Sequence, residues 1–353
     1  MVLKIKRNKT KVVKIGKVSI GGNNPIAIQS MVKRETKLTK DVINDINNLE
    51  NVGCEIIRVA VKDVEDAKAI AKIKKGISIP IVADIHFNYK FALEAIDAGV
   101  DKVRLNPGNI FKKEQVKEIA SKLKERDIPI RIGVNSGSLL DKYLKVKDIN
   151  KAIIKQATDY IKMLEDFGVK NIVVSLKSSN MLETIDVYRK MNRIYDYPLH
   201  LGITATGLLY DGIVKSSLGI GTLLLDGIGD TIRVSLLGNP IDEVNIAKNI
   251  LNSLNLRKFG PKYICCPTCG RCQVDLKKKA EEVSTRLKSL DSRKMNNLTI
   301  ALMGCVVNGP GEAKQADIGI AFGDKKGILF KKGKIVKTIN EDSCLEALIN
   351  YIK

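Results

Sequence analysis

The sequence contains no tryptophan, and aromatic residues make up only 5% of its 353 residues. Proteins that bind single-stranded nucleic acid stack the bases on aromatic side chains interleaved with basic ones, so this scarcity argues against that function. No apolar run approaches the roughly 18 residues that a membrane-spanning helix requires. The basic N-terminus is not followed by the apolar stretch of a secretory signal. We therefore expect a cytoplasmic protein that binds neither nucleic acid nor a membrane.

Acidic residues are scarce relative to basic ones, with 39 Asp and Glu against 60 Lys and Arg and a formal net charge of +21. Most of the lysines are scattered over amphipathic segments, which is typical of solvated helix faces. Because 44% of the residues are hydrophobic, the chain is not of the disordered class. The charge favours an anionic partner, either a small molecule or an acidic protein such as an electron carrier.

Eight short runs of strand-forming residues recur between residues 26 and 236. Their near-continuous apolar character is typical of strands buried on both faces. Helical patterns separate them, for example Val64–Lys75, Ala152–Phe167 and Met181–Arg193. This alternation predicts a (β/α)8 barrel in residues 1–255. The predicted strands are Ile26–Met31, Glu55–Val61, Ile79–Ile85, Lys102–Asn106, Pro129–Asn135, Asn171–Lys177, Leu199–Thr204 and Thr231–Leu236.

An open, doubly wound sheet is the alternative architecture. It would carry a Gly-x-Gly-x-x-Gly fingerprint after its first strand, and that fingerprint is missing. The partial match at Gly219–Gly221 lies inside a helical pattern, so we interpret it as helix packing. The alternating segment Val12–Ile20 predicts a hairpin that closes the lower end of the barrel.

Basic and amide side chains stand within or directly after the predicted strands, where the active sites of such barrels lie. A buried guanidinium is costly unless it has an anionic partner. Internal pairs with Asp84, Asp101 or Glu55 are one explanation. The cations outnumber these acids, however, so a phosphate or diphosphate held by bidentate arginines fits better. The candidate substrate-binding residues are Arg58, Arg104, Asn106, Arg131, Asn135, Lys177, His200 and Arg233.

The chain has only two histidines, His86 and His200, and both fall at the ends of predicted strands. A single histidine in a core is most often structural. His86 is nevertheless a candidate general acid, because imidazole exchanges protons near neutral pH.

Six of the seven cysteines lie in the last third of the chain, and four of them fall within residues 265–272. Cys266 and Cys269 have the spacing of either a zinc site or an iron–sulfur site. Zinc could use Cys272 and Cys305 as well, whereas three thiolates with one other ligand would indicate a cluster with a labile iron. The other two, Cys54 and Cys344, have apolar neighbours and are expected to be buried thiols.

The region around these cysteines predicts a small α+β domain in residues 256–353. A linker at 256–261 precedes the cysteines. The predicted elements are a helix at 280–290, a strand at 298–303, a hairpin at 328–339 and a closing helix from Asp342.

Several motifs in the chain occur together in one family. Residues 266–271 read CPTCGR, and residues 304–312 read GCVVNGPGE. Residues 82–87 (VADIHF), 104–110 (RLNPGNI), 131–135 (RIGVN) and 200–204 (HLGIT) belong to the same set. The chain thereby resembles, over essentially its whole length, the bacterial two-domain type of the 4-hydroxy-3-methylbut-2-enyl diphosphate synthase family.

The resemblance implies a TIM-type barrel followed by an iron–sulfur domain, with one [4Fe-4S] cluster held by Cys266, Cys269, Cys305 and Glu312. It implies a two-electron reductive ring opening and dehydroxylation of 2-C-methyl-D-erythritol 2,4-cyclodiphosphate, a step of non-mevalonate isoprenoid synthesis. Glu312 is then also a catalytic candidate, because a weak oxygen ligand can leave and admit the substrate to the iron.

Partners are implied in the same way. Reduced flavodoxin or ferredoxin would supply the electrons to this oxidoreductase. The enzyme would be a homodimer in which the cluster domain of one chain caps the barrel of the other.

The chain departs from the family pattern at several positions. Ala205 replaces a glutamate after the seventh predicted strand, Val32 and Lys33 replace a more common Thr-Asn pair, and Cys265 and Cys272 are additional. None of these changes removes a predicted cluster ligand. Two other functions stay open on the residues alone: a zinc-containing nucleic-acid-binding protein and a non-redox barrel enzyme of the pterin-synthase type.

Overall fold

The first of two units, Met1–Arg257, is built on eight parallel strands, and the second, Lys258–Lys353, on a five-stranded sheet. The computed structural model describes residues 5–204, 207–288, 295–296, 298–306, 311 and 313–352.

The eight strands of the first unit follow one another around a ring, each paired in parallel with the next. The last pairs with the first through Thr231 and Ala27, and a bridge between Val174 and Leu199 closes the ring. This confirms the predicted (β/α)8 barrel over the open sheet. A hairpin of β1 (Val13–Ile15) and β2 (Val18–Ile20) precedes the barrel strands, which are β3 (Ala27–Met31), β4 (Ile56–Val61), β5 (Ile81–Ile85), β6 (Lys102–Leu105), β7 (Ile130–Asn135), β8 (Ile172–Lys177), β9 (His200–Leu201) and β10 (Thr231–Ile232).

The hairpin closes the lower end of the barrel, as expected. Gly16, with φ of +52°, lies in the tight turn between β1 and β2, a backbone conformation that favours glycine. Val13, Ile15 and Ile20 form a buried cluster with residues near the N-terminal ends of barrel strands. Those partners are Ala27, Ile56, Val82 and Val173.

Helices connect the strands around the barrel. They are α1 (Thr39–Asn51), α2 (Val64–Lys75), α3 (Lys90–Asp97), α4 (Lys113–Glu125), α5 (Asp141–Leu144), α6 (Ile149–Asp166), α7 (Met181–Ile194), α8 (Leu209–Leu225) and α9 (Pro240–Ser253). Side-chain caps begin several of them; the Asp63 carboxylate, for example, accepts the N–H of Asp66 at 2.8 Å to start α2. No helix in the described part of the chain is long and apolar enough to cross a membrane.

The seventh and eighth barrel strands are shorter than predicted. β9 and β10 contain two residues each, where the sequence predicted Leu199–Thr204 and Thr231–Leu236. A Cβ at Gly202 would lie 2.8 Å from the carbonyl oxygen of Arg233, so the backbone segments that contain these two residues approach closely just beyond β9. Such close approach of backbones is a common use of glycine in strands, and the regular ladder ends there.

The second unit is a mixed sheet with helices, which confirms the predicted α+β class. Its strands follow chain order across the sheet; the first three are parallel and the last three antiparallel. The sequence did not predict the first and third of these strands. The elements are β11 (Lys262–Cys265), α10 (Leu276–Lys288), β12 (Thr299–Met303), β13 (Ile318–Phe322), β14 (Lys326–Lys331), β15 (Lys334–Asn340) and α11 (Cys344–Ile352).

Candidate active site at the mouth of the barrel

The carboxyl ends of the barrel strands enclose a cavity of about 360 Å³. Seven predicted site residues line it, namely Arg58, His86, Arg104, Arg131, Asn135, Lys177 and Arg233. Asp84, Ser175, Thr204 and Ser235 complete the lining. Because parallel strands bring their carboxyl ends to one edge, side chains far apart in the sequence meet here. Five of them carry cationic groups, which makes the cavity suited to an anion.

Asp84 is the one carboxylate among the described residues that line the cavity. It accepts a hydrogen bond from Nη1 of Arg104 at 2.9 Å, and its other oxygen lies 3.7 Å from Nε of Arg58. Burial raises the pKa of Asp84, but the guanidiniums of Arg58 and Arg104, together with His86, outweigh burial and hold that pKa well below its ordinary value. Asp84 is therefore a fixed anion that neutralises part of the charge of two arginines.

Arg131 is a buried cation that has no anionic partner among the described residues. Its side chain is 1% exposed, and its Nε and Nη2 atoms find no hydrogen-bond partner among the described residues. Burial, with repulsion from Arg58 and Arg104, lowers the pKa of Arg131 well below its ordinary value. A buried, unpaired guanidinium is costly, and an anionic ligand would relieve that cost.

Two lysines share this environment. Lys177, at the end of β8, has a pKa well below its ordinary value because of burial and because of repulsion from Arg233 and Arg58. Lys102 lies deeper in β6, fully buried, and burial and Arg131 lower its pKa in the same way. Sequence reasoning did not select Lys102, because a lysine at the start of a strand is usually exposed.

A buried glutamate on α9, Glu243, pairs with Arg233, which directly follows β10. Its Oε2 atom lies 3.5 Å from Nη2 of Arg233, and its Oε1 atom accepts the N–H of Leu236 at 3.1 Å. The ammonium of Lys33 lies 3.3 Å from Oε1. Glu243 was missed from the sequence, where it looks like an ordinary acidic residue in the first turn of a helix.

The internal pairs considered from the sequence account for only part of the charge. Asp84 pairs with strand arginines as described above. Asp101 instead binds the ammonium of Lys74 at 2.8 Å, and Glu55 binds Arg257. Neither Asp101 nor Glu55 lines the cavity, so neither compensates the charge of its cations.

The two histidines differ in their surroundings. His86, at the cavity edge, has Nε2 3.5 Å from Asp84 and Nδ1 3.3 Å from the amide nitrogen of Asn109. His200 is fully buried, and its Nδ1 lies 2.7 Å from the hydroxyl of Thr231. Burial and the neighbouring cations, Arg131 first among them, lower the pKa of His200 well below its ordinary value, so the ring is neutral.

Asn106 and His200 are the two predicted substrate residues that do not line the cavity. The amide nitrogen of Asn106 donates to the hydroxyl of Ser138 at 2.9 Å, and its oxygen accepts the N–H of Gly108 at 3.0 Å. These bonds connect the loops after β6 and β7. The structure therefore gives Asn106 a role in shaping the rim of the cavity.

In the second unit, the predicted cluster ligands follow two neighbouring parallel strands. Cys266 comes directly after β11, and Cys305 comes two residues after β12. The N–H of Cys266 donates to the carbonyl of Leu302 at 3.2 Å, which places both strand ends side by side. Cys269 lies in the loop after Thr268, whose φ of +67° turns the chain back.

These residues fit an iron–sulfur cluster by the chemistry of their donors. A Cβ at Gly304 would lie 2.5 Å from the Sγ of Cys272 and 3.5 Å from the Sγ of Cys266, so glycine at this position lets thiols approach the backbone closely. Thiolates are the ligands that such clusters use. Glu312, the predicted fourth ligand, lies outside the described residues. Among those described, no three Cys, His, Asp or Glu side chains are already grouped to hold a metal ion.

Comparison with known proteins covers both units. The family model for the GcpE TIM-barrel domain matches residues 10–248, and that for the GcpE protein C-terminal domain matches residues 262–353. The 4-hydroxy-3-methylbut-2-en-1-yl diphosphate synthase (flavodoxin) of Caldicellulosiruptor saccharolyticus is 54% identical over 347 residues, which cover 97% of this chain and 98% of that protein. The protein of the same name from Thermodesulfovibrio yellowstonii is 50% identical and covers 99% of both chains.

Solved structures similar to this chain share its barrel. The dihydropteroate synthases of Yersinia pestis and Stenotrophomonas maltophilia each align with a TM-score of 0.53, at 8% and 12% identity. They cover 69% and 68% of this chain, respectively, and 98% of each of their own chains. At such identity the likeness shows the barrel fold alone. The matches to both domain models and to full-length relatives show that this chain belongs to the GcpE family.

Proposed function

We propose that this chain is an oxidoreductase that converts 2-C-methyl-D-erythritol 2,4-cyclodiphosphate to 4-hydroxy-3-methylbut-2-en-1-yl diphosphate, in the non-mevalonate route to isoprenoids. The reaction takes up two electrons, opens the cyclic diphosphate and releases the hydroxyl oxygen as water. Relatives with 50% or more identity over nearly the whole chain carry the name of this synthase. The observation that carries the proposal is the cavity lined by five cationic side chains, with Asp84 as the one carboxylate among the described lining residues.

In this proposal the barrel binds and orients the diphosphate. Arg131, whose Nε and Nη2 atoms have no partner among the described residues, would take a phosphate oxygen directly, and Lys177 and Arg233 would add charge from other strand ends. Asn135 and the hydroxyls of Ser175 and Ser235 line the same cavity. Bidentate guanidiniums impose a fixed orientation on phosphate groups, so the C–O bond to be broken would face one direction.

His86 is the candidate proton donor to the departing oxygen. Its ring is held at the edge of the cavity between Asp84 and Asn109, with Nε2 3.5 Å from the carboxylate. Imidazole side chains serve as general acids in many active sites. Nη1 of Arg104 lies 3.3 Å from Nε2 of His86, so Asp84, Asn109 and Arg104 together fix the orientation of the ring.

We assign Cys266, Cys269, Cys305 and Glu312 as the holders of one [4Fe-4S] cluster per chain. When bound, the cluster would supply the two electrons of the reaction one at a time, received from reduced flavodoxin or ferredoxin. Cys266 and Cys305 follow adjacent parallel strands, which keeps their backbones at a fixed separation. We further assign Glu312, as a ligand that can leave, to the catalytic group.

We also propose a cytoplasmic homodimer in which the C-terminal domain, residues 256–353, of one copy covers the barrel mouth of the other. Exposed apolar side chains around the mouth support a covering partner: Phe87, Tyr210 and Leu237 are each more than 75% exposed. Each of them lies in or beside the loop after a barrel strand. The net charge of +21 supports an acidic electron carrier as the redox partner.

Anaerobic purification of the full chain tests the proposal. We expect a brown protein with broad visible absorbance, with iron and sulfide near four of each per chain. It should turn over the cyclic diphosphate only when a low-potential reductant is present. Zinc as the only bound metal, or turnover without a reductant, would overturn the redox assignment.

A further inference from the structure

Cys272 is a thiol to which the proposed cluster gives no role, yet it lies against the same atoms as a proposed ligand. A Cβ at Gly304 would lie 2.5 Å from the Sγ of Cys272 and 3.5 Å from the Sγ of Cys266. The two sulfur atoms therefore lie beside one glycine, which has no side chain to separate them. Both cysteines also pack against the same hydrophobic cluster of the second unit.

The backbone holds these two thiols at the ends of one short turn. Cys266 is attached to β12 through its hydrogen bond to Leu302. The N–H of Cys272 donates to the carbonyl of Cys269 at 2.9 Å, and Thr268, in the left-handed region, reverses the chain between them. The loop that a link between Cys266 and Cys272 would close is thus already formed. Little further chain entropy is lost in closing it.

The other cysteines of the segment are directed elsewhere. Successive side chains of a strand point to opposite faces, and Cys265 is exposed where Cys266 is half-buried. Cys269 is also exposed. In the reduced form seen here, the thiol of Cys272 donates to the carbonyl of Val274 at 3.3 Å. Among the cysteines of residues 265–272, Cys272 is therefore the one best placed to meet Cys266 on the core side of the loop.

We propose that Cys266 and Cys272 form a reversible disulfide when the chain holds no cluster. The oxidant is a low-molecular-weight disulfide such as glutathione disulfide. One cysteine thiolate attacks it and releases one glutathione; the second cysteine then displaces the other glutathione and closes the protein S–S bond. Two electrons pass from the cysteine pair to the small disulfide, whose S–S bond breaks. The two protons end on the released thiols.

This disulfide has a consequence that rests on the proposed function. It occupies Cys266, a proposed cluster ligand, so the oxidised chain cannot load a cluster until it is reduced. A disulfide is restored by excess thiol, whereas sulfinic and sulfonic acids are not. The pair would keep the ligand recoverable in a chain that has lost its cluster.

Trypsin makes the link directly observable, because it cleaves after Lys262 and after Arg271 and so separates the two cysteines. The cluster-free full chain is equilibrated with glutathione disulfide, alkylated, digested and analysed by mass spectrometry. We expect peptide 263–271 joined to peptide 272–277, with fragment ions that locate the bond at Cys266. Dithiothreitol should abolish the link. The link should be absent in Cys272→Ser and retained in Cys265→Ser, the matched control.

Other outcomes overturn the inference. A link from Cys272 to Cys269 or Cys305, or only glutathione adducts at Cys272, would refute the pairing. Iron uptake is measured separately on the wild-type chain before oxidation, after it and after reduction, with loss and then recovery expected. If the untreated chain takes up no iron, the proposed function fails, while the peptide link still reports on the disulfide.

Discussion

The barrel mouth and the cysteine loop, residues 265–272, are arranged for their ligands in opposite ways. In the barrel, buried cations stand in fixed positions on strand ends, and one of them, Arg131, has no partner among the described residues. Their mutual repulsion is built into the protein before any ligand arrives. In the second unit the thiols lie on two strand ends and a loop, and no three potential ligands among those described are grouped around a common point.

This difference determines how much of the free energy of ligand binding each site must use to reorganise the protein. An anion entering the barrel meets preorganised donors and relieves strain that already exists, so little reorganisation is needed. A cluster entering the cysteine loop must gather its ligands, and part of its binding free energy is used to bring their side chains together. Substitutions in the two places should therefore act on different measurable quantities.

The largest effect is expected where a proposed cluster ligand is removed. Cys305→Ser should lose the visible absorbance and the catalytic activity to background, because a serine hydroxyl is a poor substitute for a thiolate ligand. Binding of the cyclic diphosphate should persist, because the cationic side chains that hold it in this proposal all belong to the barrel. Metal analysis and calorimetric titration measure the two quantities. Cys265→Ser, an exposed neighbour, should keep both; retention of full absorbance in Cys305→Ser would contradict the ligand assignment.

The second-largest effect is expected at Asp84, the carboxylate that lines the cavity and pairs with its arginines. Asp84→Asn leaves Arg58 and Arg104 without their charge partner, and at neutral pH it should lower the free energy of unfolding by about 3–5 kcal/mol. Urea titration measures this change. Asp196→Asn, which breaks the exposed pair with Lys11, is the control and should cost less than about 1 kcal/mol.

The effect of pH on that difference follows from the lowered pKa of Asp84. A carboxylate with a lowered folded-state pKa stabilises the protein fully above its unfolded pKa of about 3.9, and this contribution is lost as pH falls through the folded value. The gap between wild type and Asp84→Asn should therefore be constant near neutrality and shrink below about pH 4. A gap that widens on acidification would contradict the pairing.

A substitution of Arg131 should change ligand affinity and protein stability in opposite directions. Arg131→Met removes an uncompensated buried charge, so the free energy of unfolding should rise. The same change should weaken diphosphate binding by about 10- to 100-fold, the worth of one charge-assisted interaction. Thermal unfolding measures the expected rise in stability, and calorimetric titration measures the expected loss of affinity. Arg189→Met, on the exposed face of α7 and paired with Asp226, should alter neither quantity. Loss of stability in Arg131→Met would mean that the barrel is not strained in the absence of ligand.

The sequence predicted the parts of both sites that follow from local pattern. The barrel strands are recognisable because each is buried on both faces, and an arginine inside such a run, such as Arg131, stands out. Glu243 was not predictable, because its burial against Arg233 depends on how α9 packs on the barrel. The short strands β11 and β13 were missed: β11 is half-exposed with no long apolar run, and β13 is interrupted by Gly319, a residue type depleted in strands. Without the register of β11 on β12, the meeting of Cys272 and Gly304 could not be foreseen.

The smallest expected effect is the pH dependence of diphosphate binding. It measures the charge repulsion in the free barrel, because binding should be accompanied by the uptake of a proton. Lys177 in the ligand-free barrel has a pKa well below its ordinary value, because of burial and of Arg233 and Arg58. The cyclic diphosphate, whose phosphates do not titrate near neutrality, favours the ammonium form and so draws a proton in. Affinity should fall as pH rises above the ligand-free pKa, by up to about tenfold per pH unit.

Calorimetric titration in buffers of different ionisation enthalpy measures that proton directly. We expect net proton uptake in the wild-type chain and a smaller uptake in Lys177→Met, with Lys102→Met showing how much the deeper lysine contributes. Lys162→Met, on the exposed side of α6, should behave as wild type. Binding with no proton uptake in any variant would mean that the lysines are already charged in the free barrel. The barrel mouth would then be preorganised in geometry but not strained in charge, which would narrow its contrast with the cysteine loop.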